Sequence, residues 1–219
     1  KKIKVCNGNV WFTYWLKRNW KTLYNKMSVE EICKKFGIEN YTINSDGSID
    51  VDGDVFIYDK GVTELPLKFG SVTGYFYCPF NKLTSLSGSP KSVGGDFRCY
   101  DNKLTDLKGS PESVGGGFYC YDNQLTDLKG SPKSVGGNFY CNGNKLTSLE
   151  GSPKSVGGDF DYSDNKLTSL EGSPESVGGD FYCYNNPISS ISTKMDKDFI
   201  RSFNTFKVLN DGIVNLKRL

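Results

Sequence analysis

The sequence predicts an α/β repeat solenoid, with one parallel sheet of seven short strands and a helical cap at each end. Three observations carry this expectation. First, a 21-residue unit copies itself almost letter for letter. Phe76, Phe97, Phe118, Phe139, Phe160 and Phe181 mark its phase, and Val55 holds the same phase one step earlier. A fixed period of this length means units that bury their apolar face only by stacking on neighbours. Second, Phe-x-Cys opens most units, and that alternation places both side chains on one face of a short strand. Third, the texture changes on either side of the repeat. Residues 1–50 read as an aromatic helical cap with a hairpin, 51–191 as the solenoid and 192–219 as a second cap.

Within a unit each column has its own physics. Phe97, Cys99, Leu104, Leu107 and Val114, with their equivalents, form the core columns. Asn102 recurs as Asn81, Asn123, Asn144, Asn165 and Asn186. A buried amide needs partners, so this column is expected to bond backbone groups of its own and adjacent turns. Gly109-Ser110-Pro111 starts the return path, where proline limits helix. Gly115-Gly116 is expected to let the chain turn tightly into the next strand. Cys78, Cys99, Cys120, Cys141 and Cys183 share one column, with Tyr162 in the sixth place. An odd total of seven cysteines, mostly stacked in a ladder, is a poor disulfide framework. The column reads as small buried hydrophobes, with a metal or redox site as the sharper alternative. Free thiols favour a reducing compartment.

The flanks are read as follows. Leu16, Trp20, Leu23 and Met27 follow helical spacing, which predicts a helix over residues 10–26. Ser28 to Glu31 forms a capping box that opens a short helix ended by Gly37. Residues 41–44 and 49–51 are expected to be strands around the turn Ser45-Asp46-Gly47-Ser48. This region caps the first unit, or alternatively its tryptophans Trp11, Trp15 and Trp20 form an exposed partner site. Residues 196–206 look helical, with Phe199, Phe203 and Phe206 on one side. Asn210-Asp211-Gly212 marks a turn between two apolar pairs.

The run Phe-x-Cys-x-x-Asn-x-Leu-Thr-x-Leu resembles the leucine-rich repeat, with Phe and Cys at the strand leucines and Asn in its usual place. The short unit is similar to bacterial leucine-rich repeats, such as those of secreted effector proteins. The near-identical units, the opening over residues 41–55 and the ending Asn186-Pro187-Ile188 also resemble repeat proteins of tailed bacteriophages. The resemblance covers about residues 41–191, and Lys60, standing where later units have Asn, makes the first unit atypical. It implies a repeat scaffold with a concave binding face, and a phage protein acting in the host bacterial cytoplasm.

Function is expected on the side chains that lie between the buried ones. One column is Tyr77, Arg98, Tyr119, Tyr140, Asp161 and Tyr182. The next is Pro79, Tyr100, Tyr121, Asn142, Ser163 and Tyr184, and Asp159 belongs to the column before the phenylalanines. Tyrosine supplies contact area with a polar tip at low entropy cost. The other reading is that tyrosines suit strands and stack up the ladder without a ligand. Asp159, Asp161, Asp164 and Asp180 are either a cation site or solvated charge. The chain has no histidine, and its serines recur in turns with nothing to activate them, so no enzyme and no cofactor are expected. A net charge of +2 argues against nucleic acid, and no stretch of 18 apolar residues spans a membrane. The expected partner is a host or phage protein. The alternative is a virion structural or glycan-recognising component.

Overall fold

The computed structural model describes residues 27–188, with the backbone of Thr205–Leu209 and Ile213–Lys217. The chain enters through helix α1 (Val29–Phe36). Its N-cap Ser28 accepts from the Glu31 N–H while the Glu31 side chain accepts from the Ser28 N–H, and Gly37 closes it at φ 64°. Ile32, Cys33 and Phe36 turn inward and join the core. Next comes an antiparallel hairpin, β1 (Tyr41–Ile43) and β2 (Ile49–Val51). Asp46 holds its turn by accepting from the Ser48 N–H at 3.0 Å.

From there each 21-residue turn lays down two short strands. The first series is β3 (Val55–Phe56), β5 (Phe76–Tyr77), β7 (Phe97–Arg98), β9 (Phe118–Tyr119), β11 (Phe139–Tyr140), β13 (Phe160–Asp161) and β15 (Phe181–Tyr182). These pair in parallel, Val55 beside Phe76 and then phenylalanine beside phenylalanine, as the period requires. The second series is β4 (Phe69–Val72), β6 (Ser92–Val93), β8 (Ser113–Val114), β10 (Ser134–Val135), β12 (Ser155–Val156) and β14 (Ser176–Val177). It forms its own parallel sheet, joined at one end to β2. At the far end a hairpin of β16 (Thr205–Leu209) and β17 (Ile213–Lys217) sets β17 antiparallel on β15.

The architecture is therefore a parallel β-solenoid with two sheets, not an α/β solenoid with one. The reason lies in the return path. Ser113-Val114 has no room to alternate, yet Val114 is buried and its neighbours continue the ladder: Glu112 N–H donates to Lys91 O and Gly115 N–H to Val93 O. The helical caps also need correction. Among the described residues the first end carries one eight-residue helix and a hairpin, and the last end carries a hairpin. Thr205 and Phe206, expected to end a helix, lie in β16. The helix expected over 10–26, its tryptophans, residues 196–204 and the turn 210–212 lie outside the described residues.

The core is a set of ladders. Phe76, Phe97, Phe118 and Phe139 stack with centroids 5.2–5.4 Å apart. Each is fully buried, which stabilises the fold by roughly 1.5–3 kcal/mol per side chain. The five cysteines of the column are buried thiols, and burial pushes the Cys99, Cys120 and Cys141 thiols well up. Tyr162 fills the sixth place, wedged against Phe160 and Phe181. Asn123 shows how the amide ladder works. Its Nδ2 donates to Cys99 O, Cys120 O and Tyr121 O at 3.1–3.2 Å, and its Oδ1 accepts from Leu104 N–H at 3.0 Å. One side chain thus ties two turns together. The glycine pair acts differently from expectation: Gly115 has ordinary φ, but a Cβ there would overlap the Gly94 carbonyl of the turn beneath. Close stacking, not dihedral freedom, demands glycine at that point. Left-handed backbone occurs in that unit at Asp101, φ 51°, and at Gly109, φ 87°.

Candidate functional site

The strand residues between the buried ones line the outward face of the longer sheet. Tyr77, Arg98, Tyr119, Tyr140, Asp161 and Tyr182 are all half-buried there, because each covers part of its neighbour. Arg98 is the centre of this column. Its guanidinium lies between the Tyr77 and Tyr119 rings, 4.7 and 4.8 Å from their centroids, and Nη2 donates to Asp96 Oδ2 at 2.8 Å. Tyr119 meets Tyr140 edge-on at 5.4 Å. In the adjacent column Tyr100 and Tyr121 stack at 4.3 Å, nearly parallel. Burial pushes the Tyr119, Tyr121 and Tyr140 hydroxyls up, so all three stay protonated donors at neutral pH.

The aromatic run breaks at one turn. Asp161 stands where a tyrosine would separate Tyr140 from Tyr182, and Asn142 and Ser163 separate Tyr121 from Tyr184. Tyr182 and Tyr184 are therefore set apart from the other tyrosines. Burial pushes the Asp161 carboxyl up, and the charges of Asp164 and Asp159 push the same way, against its hydrogen bonds from Ser163. Asp159 has a structural task. Its Oδ1 accepts from the Asp180 N–H at 2.8 Å, as Asp96 accepts from Gly117 and Asn138 from Asp159. A second side-chain ladder, of carboxylates and one amide, thus runs beside the asparagines. Its other oxygen receives the Tyr140 hydroxyl at 3.4 Å. Among the described residues no three carboxylate or thiol groups converge as metal ligands.

Four further rings stand on the first two turns, Phe56, Tyr58, Tyr75 and Phe80; Tyr75 shares the column of Asp159 on the expected face, and the other three are not among the expected site residues. The four are 41, 51, 43 and 53% exposed, more than any residue of the tyrosine columns. Phe56 extends the Tyr77 column at 5.3 Å, Tyr75 touches Tyr77 at 5.5 Å, and Phe80 meets Tyr100 at 5.2 Å. The signal was present in the register: Phe56 is 21 residues before Tyr77, and Phe80 occupies a column otherwise held by Asp, Asn or Gly.

The depressions of the surface lie elsewhere. One groove runs along Ser134, Val135, Gly136 and Ser155, and another along Pro66, Lys68, Ser89 and Pro90. No helix among the described residues is long and apolar enough to cross a membrane. No family model matches the chain, and no curated protein matches it.

Proposed function

We propose that this chain is a non-enzymatic protein-binding scaffold whose tyrosine face is the contact surface. Its residues are Tyr77, Arg98, Tyr100, Tyr119, Tyr121 and Tyr140, with Asp159, Asp161, Tyr182 and Tyr184 as the acidic, more polar end. The observation that carries this reading is the continuous ring-to-ring run from Phe56 through Tyr77, Arg98 and Tyr119 to Tyr140. Such a surface is rigid before it binds, so little side-chain entropy is lost on contact. Tyrosine and arginine are also the residue types that dominate binding energy at interfaces. Following the resemblance, the partner is a bacterial host or phage protein met in the host cytoplasm, a compartment in which the free thiols stay reduced.

The test is a pull-down from bacterial lysate with wild type beside Tyr119→Ala/Tyr121→Ala/Tyr140→Ala. A partner retained by the first and lost by the second, at unchanged thermal stability of the bait, supports the reading. Equal capture by both baits refutes it. The exposed faces of Tyr58 and Phe80 favour a second reading, a virion component that docks sugar rings. A glycan array with the same two proteins decides between them.

A further inference from the structure

The longer sheet ends differently on its two sides. At the last turn β17 covers β15. At the first turn β3 is the end strand: Val55 and Ile57 donate to Tyr75 and Tyr77 carbonyls, and among the described residues nothing pairs with its other side. Beside that edge stand the exposed rings of Phe56, Tyr58, Tyr75 and Phe80. An unpaired edge flanked by exposed aromatics favours a covering segment.

Charge narrows what covers it. Asp52, Asp54 and Asp59 are exposed around the edge, against Lys60 alone. Residues 27–188 as a whole hold 22 acidic and 14 basic residues, a net −8. A second copy of the same edge would set these aspartates against themselves. Residues 1–26 are the opposite: seven basic residues and no acidic one. They also hold all three tryptophans, with Phe12, Tyr14 and Tyr24. They join the described chain at Met27, which packs against the core together with α1, at the first-turn end.

We propose that residues 1–26 dock in cis on the open edge of β3, their aromatic rings against Phe56, Tyr58 and Phe80 and their lysines and arginine facing Asp52, Asp54 and Asp59. The fold already contains this chemistry two strands further in, where Arg98 lies between two rings and pairs with Asp96. A Lys or Arg over Phe56 extends that arrangement by one strand. The segment then closes the first turn as the hairpin closes the last. The inference does not rest on the protein-binding reading, since its test contains no partner, and it competes with sugar docking for the rings of Tyr58 and Phe80.

Because Trp11, Trp15 and Trp20 are the only tryptophans, indole fluorescence of the full chain reports on this segment alone. The expected result is blue-shifted emission shielded from acrylamide. In Phe56→Glu/Phe80→Asp the emission shifts red and quenching rises toward that of the urea-unfolded chain, while the circular dichroism of the solenoid and a single cooperative urea transition are retained. Benzoyl-phenylalanine at position 58, in a mixture of isotopically heavy and light full-length chains, should crosslink to peptides from residues 1–26 of the same chain. Crosslinks between heavy and light chains would overturn the proposal in favour of a second copy. Tryptophans quenched alike in wild type and variant, with no crosslink to residues 1–26, would overturn it outright.

Discussion

Inside the solenoid, the turns of Asn123 and Asn144 are interchangeable. Each amide donates to three carbonyls and accepts from one leucine N–H, at distances that agree within 0.1 Å (Asn123 to Tyr121 O at 3.2 Å, Asn144 to Asn142 O at 3.3 Å). Outside, the same two turns differ: one presents Tyr119 and Tyr121, the other Tyr140 and Asn142. The contrast separates two kinds of constraint. A buried column can be continued only by a side chain that satisfies both the turn below and the turn above. An outward column is free to change from turn to turn. Stability should therefore be concentrated in the regular columns, and recognition in the irregular ones.

Asn123→Ala tests the first half of that contrast. It removes hydrogen bonds to two turns at once and leaves buried carbonyls and the Leu104 N–H without the amide. Unsatisfied buried groups cost about 1–3 kcal/mol each, partly relieved by relaxation, so the loss should be about 3 kcal/mol in urea unfolding. A change within error would mean that the ladder is not what joins the turns.

This regular half is also what the sequence makes legible. The period of 21 residues sets the register of the Phe and Asn columns, because any other register would break every ladder together. The second sheet is not legible, since Ser113-Val114 and its copies are too short to show alternation. The final hairpin is half legible: the apolar pairs Val208-Leu209 and Ile213-Val214, expected on either side of a turn, do face each other, but Phe199, Phe203 and Phe206 have helical spacing and Phe206 lies in a strand paired with Leu216. On the irregular side, residue type and column were readable for Tyr77, Tyr119 and Tyr140. The insertion of Arg98 between rings and the use of Asp159 as a backbone acceptor were not, because both depend on how adjacent turns share space. Phe56 and Tyr58 are hard to assign from sequence because the first unit departs from the repeat at Val55 and Lys60.

Phe80 sharpens the comparison in the opposite sense. It adopts φ 54°, a left-handed conformation that Asp59, Asp101, Asp122, Gly143, Asp164 and Asn185 adopt in the other turns. Such a conformation costs a bulky residue roughly 1 kcal/mol more than it costs Asn or Gly. Phe80→Asn forfeits the edge contact with Tyr100, about 0.5 kcal/mol at an exposed site. The net expectation is a gain of about 0.5 kcal/mol, read as a rise in urea midpoint. A loss of stability would show that the ring serves the fold rather than the surface.

Asp161 is the same kind of departure, expressed through pH. Its carboxyl is pushed up by burial and by two neighbouring aspartates. A carboxyl whose folded pKa is raised destabilises the fold once ionised in both states, and that penalty fades as pH falls through the raised value toward the ordinary one. Asp161→Asn should therefore be the more stable protein at pH 7. Its advantage should shrink in unfolding curves recorded near the ordinary carboxyl range, about pH 4. An advantage that is constant with pH would place its origin in packing instead of charge.

The smallest effect belongs to the side of the turn opposite the tyrosines. Lys133 and Lys154 are exposed neighbours on successive turns, and only their backbones are bonded to each other, Lys154 N–H to Lys133 O at 2.9 Å. Exposed charges that hold no fixed partner contribute little, so Lys133→Glu/Lys154→Glu should move stability by no more than about 0.2 kcal/mol. The double reversal should also leave capture of the partner unchanged, because the altered charges lie off the tyrosine face. Its value is as a control on charge: it shifts the net charge by four units without touching a ring. If capture is lost in this variant but kept in the tyrosine triple variant, recognition lies on the outer turns, and the aromatic columns are then a means of stacking one turn upon the next.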